Sequence, residues 1–162
     1  MILFSYPIQT ASGDEYLVRI NAISKKSLPE YLLAALEGIE VFEVTLERGS
    51  GNNPTSASIL FDITNVIARV LFDNPDSIFY FYCDDLHDIP RRDQSISPQA
   101  FRSQLFSRMM DRYVQKHCIS NLTNTPVELH VDHDIYIHLI AYAKHLPAVQ
   151  LLKEAIEEIA DK

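Results

Sequence analysis

Glycine is scarce, with four in 162 residues. That leaves little material for the glycine-rich loops that cradle phosphates, and no Walker loop, GxGxxG, GxSxG or HExxH pattern occurs. Tryptophan is absent and cysteine is limited to Cys83 and Cys118. A disulfide-framed secreted domain would carry several cysteines in so short a chain, so reduced thiols and a cytoplasmic location are expected. No apolar run approaches the ~18 residues of a membrane span, and no membrane partner is expected. The opening residues 1–7 lack basic side chains and break at Pro7, unlike a secretory signal. Positive charge is also in deficit: 14 Lys and Arg face 22 Asp and Glu, for a formal charge of −8. Such a balance repels phosphate backbones and argues against nucleic acid as a partner.

What is present is ordinary globular material, 47% hydrophobic and 22% charged, with no repeat, low-complexity tract or linker. Residues 1–162 read as one domain. Apolar, β-branched runs at 2–8 and 16–23 flank a glycine-containing turn and predict a hairpin. Ser27 and Glu30 have capping-box spacing and Gly38 offers a stop, predicting a helix over 28–37. Alternation over 39–48 predicts a half-buried strand, and residues 49–58 a polar loop. Ile59, Ile63, Val66, Ile67 and Val70 recur at helical steps, with Leu60, Leu71 and Phe72 widening the stripe into that of a deeply packed helix. Residues 78–83 are apolar or aromatic on both faces, as a central strand covered on two sides requires. Ser97, Pro98 and an Ile96–Phe101 staple announce a helix running to about His117. Two strands at 126–132 and 135–143, joined near His133 and Asp134, precede a final helix opened by Pro147. The order ββαβαβαββα, with strands clustered at both ends, predicts an α+β fold: a mainly antiparallel sheet with helices packed on it.

The segment after the central strand concentrates chemistry. Cys83, Asp84, Asp85, His87, Asp88, Arg91 and Arg92 lie within ten residues, and strand ends feeding loops are common places for sites. Asp84, Asp88 and His87 are candidate acid/base groups, with Arg91, Arg92 and Arg102 as candidate anion-binding groups. The competing reading makes Cys83 a small buried hydrophobe and pairs the carboxylates with the arginines. Cys83 with His87, or Cys118 with His117, is an unpromising nucleophile pair, because the acids beside Cys83 disfavour a thiolate. His130, Asp132 and His133 imitate half of a binuclear metal signature, with His138 or His145 as conceivable further ligands. However, Glu128 stands where the first histidine belongs and little chain remains. A solvated strand face explains the alternation, so neither metal nor cofactor is expected. Phe79 and Phe81 on one face, with Tyr80 and Tyr82 on the other, read as core packing rather than base-stacking platforms.

Tyr82-Cys83-Asp84, then a polar turn bearing Asp88 and Arg92, then Arg102-Ser103-Gln104-Leu105-Phe106-Ser107-Arg108 follow one another in the chain. In this the chain resembles a family of small bacterial proteins, a domain of unknown function, whose aromatic strand ends in Cys-Asp before a helix of Arg and Phe. The loop is longer here, and Met109-Met110 replaces a bulky aromatic. The resemblance covers roughly a third of the chain; it implies a shared fold and a place to look, and no chemistry.

Two functions compete. Between Arg91 and Lys116, six basic residues face two acids, a balance of +4 that leaves −12 on the remainder. This is either the wet face of an amphipathic helix or a recognition surface for an acidic partner. A non-catalytic interaction or regulatory domain is favoured, as a homo-oligomer or as the neutralising partner of a basic protein. The alternative is a small enzyme acting on an anionic substrate through the loop after Cys83.

Overall fold

The computed structural model describes residues 2–51, 53, 56–83, 89 and 91–161. It opens with the hairpin β1 (Ile2–Gln9) and β2 (Glu15–Ala22). Its turn is closed by the Thr10 N–H donating to Asp14 O at 2.9 Å, with Gly13 at φ 88°. A short 3-10 turn at Lys25–Ser27 leads into α1 (Glu30–Ala35). The N-cap of α1 is Pro29, with no side-chain bond, and the Ser27 expected to cap it lies in the 3-10 turn instead. Helix therefore starts only after the proline. At the other end, Lys25 Nζ donates to Leu36 O at 3.2 Å and also to Ile39 O, covering carbonyls a short helix leaves open.

β3 (Glu40–Ser50) feeds α2 (Ala57–Asp73), which returns to β4 (Ser77–Cys83). One face of α2 is buried through Ile59, Ile63, Ile67, Val70 and Leu71, while Thr64, also buried, bonds back to Leu60 O at 2.9 Å. α3 (Pro98–His117) starts as its sequence announces: Ser97 Oγ accepts from the Ala100 N–H at 3.2 Å, and Pro98 occupies the first turn. It ends at Cys118, which is left-handed at φ 54°, with the Ile119 N–H reaching back to Val114 O at 3.0 Å.

β5 (Leu122–His130) and β6 (Asp134–Tyr142) form the second hairpin, and α4 (Leu146–Ala160) closes the described chain. β5 begins before Pro126, where the sequence placed its start. It is an edge strand, and an edge tolerates a residue that cannot donate to a ladder.

One six-stranded sheet results, ordered β1-β2-β3-β4-β6-β5. Only β3 and β4 pair in parallel, and the other neighbours are antiparallel. The fold is α+β with the expected element order. β4 lies in the sheet's middle, with Phe79, Phe81 and Cys83 under α2 and α3, and Ile78, Tyr80 and Tyr82 in the layer with α1 and α4. Helices thus cover both faces and bury β4 from either side, as its doubly apolar sequence requires. One close approach ties the first hairpin to the end of β3: a Cβ on Gly51, at φ 96°, would sit 1.6 Å from Oδ1 of the buried Asp14. Only glycine fits there. No helix among the described residues is long and apolar enough to cross a membrane.

Candidate functional site

Asp84, His87 and Asp88, the acid/base candidates, lie outside the described residues. Of the three candidate arginines, Arg91 and Arg92 border one cleft and Arg102 lies elsewhere. Arg91 is committed to its own loop: Nε donates to Ile96 O at 2.6 Å and Nη1 to Ile89 O at 3.2 Å. Arg92 is exposed and shares with Arg91, Phe101 and Arg108 a shallow surface cleft of about 560 Å³. Arg102 turns inward from α3, is 3% exposed, and borders with Cys83 a smaller crevice of about 290 Å³. Arg102 therefore serves a different place from Arg91 and Arg92.

The metal-like signature sits at the β5–β6 hairpin. His130 Nδ1 lies 2.8 Å from Asp134 Oδ1, and Nε2 lies 3.9 Å from Glu128 Oε2. The Asp134 hydrogen bond, then its charge, raises the His130 pKa above its ordinary value. Asp132 and His133 are exposed in the connecting turn. His138 is inside the fold, and His145 bonds Asp76 at 2.9 Å beside Lys144. No group of three or more His, Cys, Asp or Glu side chains is placed to hold a metal among the described residues.

A constellation that local sequence patterns did not reveal lies beneath α3. Ser103 Oγ is 2.9 Å from His138 Nε2, and His138 Nδ1 is 2.9 Å from Asn124 Oδ1. Asn124 Nδ2 in turn donates to Ser107 Oγ at 3.2 Å. The amide oxygen only accepts, so the proton sits on Nδ1 and Nε2 accepts from the Ser103 hydroxyl. This is the connectivity of a nucleophile, base and orienting group. The surroundings favour a different role. His138 is fully buried, with its ring centroid 4.8 Å from that of Phe106, and burial pushes its pKa down to about 4. Such a group is a poor base near neutral pH. Ser103 is itself buried. The chain of bonds fastens α3 to β5 and β6, with each polar group satisfied. The available signal was β6 alternation, which puts His138 in the inward stripe with Tyr136 and Ile140.

A concavity lies where α2 meets β1 and the end of α3. It is a groove of about 680 Å³ whose lining includes Tyr6, Asp62, Arg69, Phe72, Tyr113 and His117. A second cleft of about 510 Å³ shares Asn65, Tyr113 and His117 and adds Phe61, Arg112 and Lys116. The Tyr113 and His117 rings stack at 4.3 Å on the boundary. Phe61 is 47% exposed and Phe72 76%. Their 11-residue separation brings them back to one side of α2, about 16 Å apart along its axis. The lone carboxylate among these linings, Asp62, has its pKa raised by partial burial. Chemically, the groove offers aromatic surface framed by cations. No family model, curated protein or solved structure matches the chain.

Proposed function

We propose that the chain is a non-catalytic protein-interaction domain of the bacterial cytoplasm, belonging to the family its Cys-Asp strand and Arg/Phe helix resemble. Its partner is a protein segment carrying acidic and apolar side chains, docked in the α2–α3 groove. The observation that carries this reading is the exposure of Phe61 and Phe72 beside adjoining clefts that also hold Arg69, Arg112 and Lys116, in a chain whose net charge is −8.

Scattered exposed apolar residues are unremarkable, whereas aromatic residues gathered on a concave surface with a charged rim have the anatomy of a contact patch. Covering one phenylalanine contributes about 1.5–3 kcal/mol, and the cations supply orientation and association rate more than affinity.

The test replaces Phe72 with a photo-crosslinking phenylalanine analogue in the native host, and Ile159, equally exposed on α4, as the control. A covalent adduct with a different protein is expected from the groove position alone, through an acidic segment. Arg112→Glu with Lys116→Glu should lower its yield about tenfold, since two reversed charges cost more than 1.4 kcal/mol at close range. An adduct with a second copy of this chain, equal labelling from both positions, or none from either would overturn the reading.

A further inference from the structure

β1 stands at the end of the sheet, with β2 as its neighbour. The Thr10 N–H donates to Asp14 O, which makes that pair a bonded one. Alternation back along the register leaves Phe4, Tyr6 and Ile8 bonded to β2 and turns the backbone groups of Ser5, Pro7 and Gln9 away from it. Pro7 fits this parity, since its nitrogen falls on the side where no bond to β2 is made. All three outward residues are exposed. The free edge thus displays the Ser5 and Gln9 amides as donors and the carbonyls of Ser5, Pro7 and Gln9 as acceptors. β1 is also a wall between two clefts. Tyr6 and Ile8, on its core-facing side, line the α2–α3 groove. Pro7 and Gln9, of the opposite parity, join Glu15 and Leu17 in lining another cleft of about 490 Å³.

We propose that the docked partner segment is an extended strand that adds to β1, so that its side chains enter the two clefts alternately. This deepens the protein-interaction reading and rests on it. Strand addition draws affinity from main-chain hydrogen bonds and specificity from pockets for alternate side chains, and β1 supplies both. The clefts also divide the charge. On the α2 side Arg69, with Arg112 and Lys116 beyond it, outweighs Asp62, whereas Glu15 is the charged residue in the other lining. The added strand therefore alternates apolar or acidic residues, facing α2, with uncharged or basic ones. A second copy of β1 fits less well, because it would bring a second proline and a second missing donor to the seam. A foreign strand meets one gap.

The probe is the segment mapped by mass spectrometry from the Phe72 adduct, made as a synthetic peptide and titrated against the purified chain. Methylating its amide nitrogens one at a time should weaken binding at every second position of the docked stretch and leave the positions between them unaffected. A helical segment would instead suffer wherever it is methylated. On the chain's side, Ser5→Pro removes an edge donor without touching the ladder to β2 and should weaken binding about tenfold, the effect of one lost hydrogen bond. Ser5→Ala keeps that amide and should change nothing. Pro7→Thr restores a donor to the edge and should tighten binding about threefold. Misfolding cannot imitate that gain. If Phe72→Ala weakens binding while methylation shows no period of two, or while Ser5→Pro and Pro7→Thr have no effect, strand addition is overturned and the groove stands. A loss from Ser5→Ala equal to that from Ser5→Pro would overturn it too, since the side chain and not the amide would then be the contact. No adduct from Phe72, or one with a second copy of the chain, removes the docking site and the added strand together.

Discussion

His130 and His138 belong to the same hairpin, eight residues apart, and their surroundings drive them in opposite directions. His130, near the hairpin turn, has water and two carboxylates about it, and its pKa is raised by Asp134 first. His138, in mid-strand under α3, has a hydroxyl, an amide oxygen and the Phe106 ring, and its pKa is lowered to about 4 by burial. One residue type is thus an exposed group that holds its proton more tightly in one setting and a buried structural connector that resists protonation in the other. Residue identity alone carried neither role; enclosure decided which applied.

The contrast breaks most visibly through His138→Ala. That change empties a packed site and strips Ser103 and Asn124 of their shared partner. Lost contact and unsatisfied buried groups together should cost about 3 kcal/mol. Urea denaturation of the variant and of His130→Ala side by side measures the difference. If His138→Ala were no more destabilised than His130→Ala, the Ser103–His138–Asn124 chain would not be what holds α3 to the second hairpin.

Acid sharpens the same comparison. His138 binds its proton at an ordinary value of 6.5 when unfolded and at about 4 when folded, so the unfolded chain takes up more protons between those values. Its contribution to stability is complete above pH 6.5, falls as pH drops toward 4, and is spent below that; the full span is about 3 kcal/mol. His130 has the reverse sign: its raised folded pKa favours the native state below 6.5, and that benefit fades as pH rises through the folded value. Unfolding free energies measured from pH 4 to 7.5 should therefore slope upward, and His138→Gln should flatten the slope. An unchanged slope in that variant would mean that His138 is not the buried neutral group described.

Much of the architecture was legible because the relevant forces are local. The cap at Ser97 and Pro98, the helical stripe of α2 and the doubly apolar run of β4 each declare an element through spacing within a few residues. Strand order was not, because insertion of β6 between β4 and β5 is a contact between distant segments with no local signature. The same limit hid the buried hydrogen-bond chain, whose members Ser103, Asn124 and His138 come from three elements. It also hid the crevice: Arg91, Arg92 and Arg102 look alike in sequence, and only the packing of α3 against the sheet sends Arg102 inside. Pro126 and Ser27 show the converse error. There a sound local rule gave way to an edge strand's freedom and to a turn that claimed the serine first.

The smallest effect belongs to the exposed member of the pair. Water already screens the His130–Asp134 contact, and holding both side chains in register costs entropy, so His130→Gln should leave the denaturation midpoint where it is. Proton titration can nevertheless resolve what stability cannot. The His130 ring resonance should titrate above its ordinary 6.5 and move back toward it in Asp134→Asn, with added salt shifting it the same way. Across that pH range the His138 resonance should stay fixed and neutral, since its transition lies near pH 4. A His130 that ignored both Asp134→Asn and salt would show that proximity to Asp134 is not what sets its charge. The contrast between the two histidines would then rest on burial at one end alone.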